Sequence, residues 1–400
     1  AWDGGPIHYL TLHLTGPDVA TRVYQLLWSM QFDTREKRGL LSVPLAIHCV
    51  SWNMGNAAPS VGRGAVGPLR GSSSESSSDG SDLALMLPHD LDADLVVVSV
   101  QECAFALRDA HGDKIRARTR DAWYDTLGTH LGPSYQIVVA KSLWDIRLVV
   151  AVRTAHLNKV SHVQVAKEAT GFAHVGGNKG VVCAYLRFLD TRLVFVAAHF
   201  AAGQDKVKVR NSNFVEAVSG IKGEIGGCKA ERRLELGSKA HHTFWLGDFN
   251  YRIDAKRKEV EALVAARKWR ALVKRDQLTH EIARGCVFAR AREGKLAFPP
   301  TYRYLRGTSD FTTHGKPPRI PSWTDRVLFV SQPHLVGAVH IEAYDSIPDV
   351  ATSDHKPVIA AFAVNVRIPY LPVTTWLEPL GRHTLSLQCC SPTWSRCIHG

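Results

Sequence analysis

The sequence predicts an α/β (α+β) fold, built as a two-sheet sandwich flanked by helices. Three observations carry this. Apolar runs of strand length recur along most of the chain, as at 45–52, 95–100, 193–198 and 244–246. Helical patterns are few and fall between those runs, at roughly 205–222 and 255–285. Several of the apolar runs stop abruptly on a polar residue, as the ends of buried strands do. Many strands with a few interspersed helices must bury a sheet face on each other and the remaining faces under helices.

Taken in order, residues 1–44 form an N-terminal extension with no visible chemistry. Residues 9–14 alternate like a strand, and 18–31 have the pattern of a short amphipathic helix. A buried strand follows at 45–52 and ends at Asn53. Residues 55–82 are rich in Gly and Ser, a composition that buries too little apolar surface to offset ordering. They read as a disordered insertion within one domain, because strand-like chain resumes at 95–100 and ends at Gln101 and Glu102. Further strands are expected at 135–140, 146–153 and 159–168. Residues 180–200 read as a hairpin turning at 189–192, whose second arm delivers His199. Strands return at 326–331, 336–343 and 357–366. Residues 367–400 have weak periodicity and read as a poorly ordered C-terminal tail. The expected main domain is therefore 45–366.

The composition bounds the function. A 45% apolar share over 400 residues supplies a sizeable core for one large domain or two ordinary ones. Lys and Arg number 49 against 37 Asp and Glu, a net charge of +12. That suits anionic partners: a phosphorylated substrate, nucleic acid or an anionic membrane surface. A basic solvated surface is the plainer reading of the same charge. The 8 cysteines show neither CxxC pairing nor metal-ligand spacing with histidine, so a cytoplasmic setting is the simplest expectation. No apolar run is long enough to span a bilayer as a helix, and no start-proximal signal peptide is visible. The chain does not begin with Met, so its start decides nothing about targeting.

Asn53, Glu102, His199, and Asp248 with Asn250 each follow an apolar strand. Any one of them alone reads more readily as a polar strand cap. Together they point to one sheet edge, where strand ends converge. Asp325 and His355 add a second acid and a second imidazole. A carboxylate and an amide with few other ligands suit Mg²⁺, which prefers oxygen donors and keeps room for water and phosphate. No Cys/His cluster suits zinc. Two histidines can hydrogen-bond phosphate oxygens, and Asp248 can take a proton from water with Asn250 holding the water or the carboxylate. The chemistry these residues point to is metal-assisted hydrolysis of a phosphate ester. No Cys-x5-Arg run is present, which argues against a phosphocysteine route.

The runs Phe244-Trp245-Leu246-Gly247-Asp248-Phe249-Asn250-Tyr251-Arg252, Pro321-Ser322-Trp323-Thr324-Asp325-Arg326 and Ser353-Asp354-His355-Lys356-Pro357 carry a resemblance. In this order and spacing they resemble the inositol polyphosphate 5-phosphatase family, over roughly residues 45–366. The resemblance implies a four-layered sandwich of two mostly antiparallel sheets between helices. It implies removal of the 5-phosphate from phosphoinositide lipids or soluble inositol phosphates with Mg²⁺, for which Mn²⁺ can substitute. It makes Glu102 the main metal ligand with Asn53 beside it, Asp248 the water-activating base, and Asn250 its partner. His199 and His355 become scissile-phosphate contacts, with Asp325 orienting His355. Peripheral association with an anionic membrane follows for a lipid substrate, and no nucleic-acid partner is expected.

Substrate contacts follow from the same resemblance. Pro300-Thr301-Tyr302-Arg303-Tyr304 is similar to a family segment with Lys where Arg303 stands; both are cations, but of different geometry. Lys316 and Arg319 precede Pro321 where the family carries cations for the neighbouring 4-phosphate, with a spacing one residue longer than in many members. Asn178 and Lys179 lie in Gly176-Gly177-Asn178-Lys179-Gly180, which matches a loop near another substrate phosphate. Ala197 departs from the family, which often has Asn two residues before this histidine. A nuclease of the same superfamily and an inactive phosphoinositide-binding module are the competing readings. A nuclease would need a long basic track with steep salt dependence.

Overall fold

The computed structural model describes residues 42–60, 81–103, 122–171, 178–226 and 236–368, other than 314, 316 and 317. Its strands form two six-stranded sheets. The first contains β1 (Ser42–Asn53), β2 (Leu95–Gln101), β3 (Tyr135–Leu143), β4 (Ile146–Arg153), β11 (Val339–Ser346) and β12 (Val358–Arg367). Their order is β11-β12-β1-β2-β4-β3. The second contains β5 (Val160–Ala169), β6 (Gly180–Phe188), β7 (Thr191–His199), β8 (His242–Asp248), β9 (Arg292–Glu293) and β10 (Asp325–Ser331). Their order is β5-β6-β7-β8-β10-β9. Only β1 with β2 and β7 with β8 pair in parallel among the described residues; the other pairs are antiparallel.

Side-chain alternation divides the core into three layers of packing. On β8, Phe244 and Leu246 face the space between the sheets, with Ile47, Leu95, Phe195, Phe329 and Phe362. Trp245, on the other face, packs with Val196, Ala217 and Leu278. Those last two belong to the helices α3 (Val207–Lys222) and α7 (Gln277–Ala283). The outer face of the first sheet carries Val50, Trp52, Val98 and Val100. It is covered by α1 (Asp82–Met86) and α2 (Ala122–Leu131) through Met86, Trp123 and Leu127. The result is the expected helix–sheet–sheet–helix sandwich. Phe244 stands at its centre, with ring centroids 5.4 Å from Phe195 and 5.1 Å from Phe362.

The strands expected within the described residues all form, with shifted ends. The strand expected at 336–343 is β11 at Val339–Ser346, because Pro333 starts a short 3-10 turn over Pro333–Ala338. The charged stretch 255–285 splits into α5 (Arg257–Ala265), α6 (Trp269–Val273) and α7, which is N-capped by Asp276. A four-residue helix, α4 (Leu236–Lys239), precedes β8.

Two boundaries need correction. Ser42 pairs with Arg367 across β1 and β12, so 42–44 and 367 belong to the sheet and not to the flanking segments. The ends of the Gly/Ser-rich insertion are packed. Ser60 N–H donates to Asp82 Oδ2 at 2.7 Å, and Asp82 N–H donates to Ser60 Oγ at 3.1 Å. Ser81 caps α1 by accepting from Ala84 N–H at 3.1 Å. These small polar residues satisfy backbone groups that composition alone does not reveal. Residues 61–80, and with them the rest of that insertion, lie outside the described residues. So do the strand and helix expected at 9–14 and 18–31, and the tail from 369.

Candidate active site

The alternation that builds the inter-sheet core also builds the site. On β7, Phe195 and Ala197 face that core, so His199 continues the same face at the strand end. On β8 the series is Phe244, Leu246, Asp248, and on β10 it is Phe329, Val327, Asp325. On β1, Ile47 and Cys49 lead by the same parity to Asn53. Register aligns them: His199 pairs with Asp248, and Asp248 pairs with Asp325. The polar ends of four core strands therefore meet at one mouth of the sandwich. Ala197 is fully buried in this core, so the departure from Asn leaves an apolar group in an apolar place.

Gly247 makes the row possible. A Cβ there would lie 2.0 Å from the carbonyl oxygen of Ala198 on the neighbouring parallel strand, a backbone atom that cannot move aside alone. The glycine in the Gly-Asp-x-Asn run thus lets β8 lie against β7 beside His199.

Asp248 is buried and surrounded by donors. Its Oδ2 accepts from Asn53 Nδ2 and Asn250 Nδ2, both at 3.0 Å, and lies 3.3 Å from His199 Nε2. Its Oδ1 accepts from Asn250 N–H at 3.0 Å. Burial pushes the carboxyl up. The His199 hydrogen bond and the charges of His199, His355 and Arg252 outweigh that and hold it well below the usual carboxylate range. Asn250 is fixed in a left-handed turn (φ 58°), which Asn tolerates, and also donates to Phe200 O at 3.0 Å. Arg252 donates to the Asn250 carbonyl and side-chain oxygens and lies 4.6 Å from the Tyr302 ring centroid.

Asp325 Oδ2 accepts from Thr301 Oγ1 at 2.7 Å, Thr324 Oγ1 at 2.8 Å and His355 Nδ1 at 2.9 Å. His355 is buried, which alone would lower its pKa. The Asp325 charge and hydrogen bond, and then Asp248 and Asp354, raise it to about 9. The ring is an imidazolium at neutral pH and packs against Tyr302, tilted by 35° with centroids 4.3 Å apart. Ser353 ties this segment to β1: its Oγ donates to Asn53 O at 2.7 Å and accepts from His355 N–H at 3.1 Å.

Glu102 turns out of β2 with φ 50°, a left-handed conformation that costs a glutamate on the order of 1 kcal/mol or more. Its side chain is 31% exposed, and Oε1 lies 3.8 Å from His199 Nε2. Lys179 Nζ lies 2.7 Å from the same Nε2. Burial lowers the Lys179 pKa against the raising charges of Asp248 and Glu102. Asn178, one residue earlier, is exposed. Arg303 Nε donates to Asp354 Oδ2 at 3.0 Å. Arg319 is exposed, and its carbonyl accepts from Arg257 Nη1 at 2.6 Å. Lys316 lies outside the described residues.

Asn53, Glu102, Lys179, His199, Asp248, Asn250, Tyr302, Asp325 and His355 thus share one mouth. Sequence reasoning missed the supports: Arg252, Thr301, Thr324 and Ser353. All lie within or beside the motif runs, which was their only signal. Arg210 was also missed as a support. It is fully buried and donates to Ala201 O at 3.1 Å and Gly203 O at 2.6 Å, holding the turn after His199.

The donor set can be tested against a hard divalent cation. Asp248, Asp325 and His355 place ligand-type atoms within 4.8 Å of one another. However, His355 is protonated and gives its Nδ1 proton to Asp325, so it is a poor ligand. Glu102 offers a part-exposed carboxylate beside Asp248. Asn53 Oδ1 accepts one hydrogen bond, from Gly55 N–H at 2.9 Å, and retains a second lone pair. Those oxygens fit such an ion.

A two-sheet α/β sandwich with carboxylates, amides and imidazoles at one mouth has the construction of the endonuclease/exonuclease/phosphatase class. The family model described as Endonuclease/Exonuclease/phosphatase family 2 matches residues 50–361. The chain belongs to this family. It is 31% identical over 297 residues to phosphatidylinositol 3,4,5-trisphosphate 5-phosphatase 2A of Danio rerio, covering 71% of this chain and 22% of that relative. The chain therefore spans under a quarter of that protein. Among solved structures it is similar to the inositol polyphosphate 5-phosphatase domain of SPsynaptojanin in complex with inositol (1,4)-bisphosphate and calcium ion. That likeness has a TM-score of 0.66 at 24% identity, over 86% of this chain and 91% of that one. Cimex nitrophorin has the same fold, with a TM-score of 0.57 at 19% identity over 81% of this chain and 99% of that one. The fold alone thus does not fix the chemistry.

Proposed function

We propose that the chain hydrolyses the 5-phosphate of a phosphoinositide, such as the 4,5-bisphosphate or 3,4,5-trisphosphate of phosphatidylinositol, or of a soluble inositol polyphosphate. The observation that carries this is the aligned row His199–Asp248–Asp325 closed by His355. It pairs an anionic proton acceptor with two imidazoles able to face a phosphate. Asp248 is the base for the attacking water. Its low pKa makes it a weak base, which suits phosphoryl transfer, where bond breaking to the leaving group runs ahead of attack. Asn53 and Asn250 hold its oxygens in place. His355 donates through Nδ1 to Asp325 and presents its other N–H to the phosphate. His199 and Lys179 offer further donors to the phosphate oxygens.

Glu102 and Asn53 would hold Mg²⁺, or Mn²⁺ in its place, and the bound ion would stabilise charge on the phosphate. Tyr302, Arg303, Lys316, Arg319, Asn178 and Lys179 are the proposed contacts to the inositol ring and its other phosphates. The net positive charge supports peripheral association with an anionic cytoplasmic membrane surface. Among the described residues, no helix is long and apolar enough to cross a membrane.

The deciding experiment is phosphate release from a panel of inositol lipids and soluble inositol phosphates, with and without Mg²⁺. Release confined to 5-phosphorylated substrates and abolished by chelator is the expected result. Cleavage of DNA or RNA with no release from any inositide overturns it.

A further inference from the structure

The turns that leave β7 and β8 run side by side past His199 and Asp248, because the two strands are parallel neighbours. Phe200 N–H donates to Asp248 O at 3.0 Å, and Asn250 Nδ2 donates back to Phe200 O at 3.0 Å. One side chain joins the turns again further out. Gln277, the first residue of α7, is 4% exposed. Its Oε1 accepts from Arg210 Nη2 at 2.6 Å and from Arg252 N–H at 2.8 Å. Its Nε2 donates to Asp254 Oδ1 at 2.6 Å and to Gln204 O at 3.1 Å. A carboxamide has two acceptor lone pairs and two donor hydrogens, so this amide is fully used.

These partners lead to the mouth in short steps. Arg210 also donates to Ala201 O and Gly203 O, in the turn after His199. Arg252 donates to both oxygens of Asn250, and Asn250 donates to Asp248. Gln277 N–H donates to Arg252 O at 2.9 Å, so Gln277 binds both backbone groups of Arg252. Gln277 is itself held from the next strand. Its neighbour Asp276 pairs at 3.0 Å with Arg326, the residue after Asp325 on β10. One buried amide therefore ties the exits of β7 and β8 together, with a link to β10.

Only an amide meets both demands. Its oxygen faces donors and its nitrogen faces acceptors, one of them the Asp254 carboxylate. A carboxylate in the same place would set two acceptors against each other. Among the described residues, none of the bonds of Gln277 goes to His199 or Asp248, so any effect on them is indirect.

We propose that Gln277 is a positioning residue that fixes His199 and Asp248 relative to each other by clamping the turns beyond them. A reacting group displaced by about 1 Å can lose about 10²-fold in rate. The effect on turnover rests on the hydrolytic reading above; the clamp itself does not.

The test uses the whole chain and reads both hydrogen exchange by mass spectrometry and kinetics on a soluble inositol polyphosphate with Mg²⁺. Gln277→Met removes the amide while keeping a long side chain. Gln277→Glu keeps the acceptors but opposes Asp254. Adding Asp254→Asn reverses the polarity of that bond and restores the net charge. In Gln277→Met, exchange should quicken over 200–204 and 250–253 but not over 244–247 within β8. Its kcat should fall about 10- to 100-fold with KM within about twofold, as expected when alignment and not ground-state binding is lost. Gln277→Glu should show a similar loss, and Gln277→Glu with Asp254→Asn should regain most of the turnover. General destabilisation would quicken 244–247 as well and would overturn the proposal. So would unchanged exchange in both turns, unchanged kcat with loosened turns, or a double variant no better than Gln277→Glu. If Gln277→Met does not fold, the Gln277→Glu pair decides by the same readouts. If the wild type releases no phosphate, the hydrolytic reading fails separately, and the exchange measurement alone upholds or overturns the clamp.

Discussion

Asp248 and Asp325 face each other directly across β8 and β10, and His355 joins the pair with its Nδ1 2.9 Å from Asp325 Oδ2. Two carboxylates opposite each other on adjacent strands repel. The buried imidazolium between them offsets that repulsion, and the two acids in turn keep it charged. Removing Asp325 therefore changes the charge state of His355 more than its position.

The first prediction follows. His355 has a folded pKa raised to about 9 from an ordinary 6.5. Its charged form contributes stability fully below about pH 6.5, and that contribution is lost as pH rises through about 9. If the imidazolium is needed for turnover, activity falls on the same alkaline limb. Asp325→Asn removes the largest raising influence, so the alkaline limb of the kcat/KM profile should move toward neutral pH. An alkaline limb that stays in place in this variant would show that His355 is not the titrating group.

Asp248→Asn should leave the far-UV circular dichroism unchanged and lower kcat by about 10²–10⁴-fold, the usual range for loss of a general base. The amide cannot take a proton from water. It also places an NH₂ group among Asn53, Asn250 and His199, which are donors to the present carboxylate. Near-normal turnover by the folded variant would remove Asp248 from the base role.

Glu102→Gln should raise the Mg²⁺ concentration required for activity, because a neutral amide is a weaker ligand for a hard cation. It should also shrink the thermal shift that Mg²⁺ gives the protein, a readout that needs no turnover. An unchanged Mg²⁺ response in both assays would leave Glu102 as a strand terminus in an unusual backbone conformation.

Much of this was legible in the sequence, for a local reason. Strands announce themselves by period-two patterning, and parity then decides which polar residue continues the buried face: Asp248 after Phe244 and Leu246, His199 after Phe195 and Ala197. What stayed hidden depends on chain brought from far away. Asn53 donates to a carboxylate 195 positions later, and Ser353 binds the Asn53 carbonyl from 300 positions away. No window of sequence contains either pair. The left-handed turn at Glu102 is equally invisible, since glutamate gives no sign of it as glycine would. Arg326 sits inside a motif run yet binds Glu293 and Asp276 in the protein interior, away from the mouth. Motif membership therefore does not separate support from chemistry.

Deleting residues 62–79 should preserve the melting temperature and most activity. Gly and Ser dominate the segment, and shortening a loop changes closure entropy only slowly with length. Ser60, Ser81 and Asp82 must remain, because they bond each other and cap α1. Extending the deletion through Asp82 should lower stability by about 0.5–2 kcal/mol for the lost cap alone. Equal melting temperatures for the two deletions would show those contacts to be dispensable.

Selectivity for the 4-phosphate should rest on Arg303 and Arg319 unequally. Arg303 is held by Asp354, the residue beside His355, whereas Arg319 is exposed and, among the described residues, is held through its carbonyl by Arg257. A cation fixed in advance loses less entropy on binding phosphate than one that must be ordered. Each charge-assisted bond is worth about 1.5–3 kcal/mol, or roughly 10- to 100-fold. Arg319→Ala should therefore reduce kcat/KM on 4,5-bisphosphorylated inositides more than on inositides lacking the 4-phosphate, and Arg303→Ala should widen that difference. Asp354→Asn should act in the same direction as Arg303→Ala, but less, because it frees the guanidinium without removing it. The comparison of kcat/KM for paired substrates with and without the 4-phosphate decides this. If all three variants reduce both substrates equally, these residues act through general charge or folding and do not read the 4-phosphate.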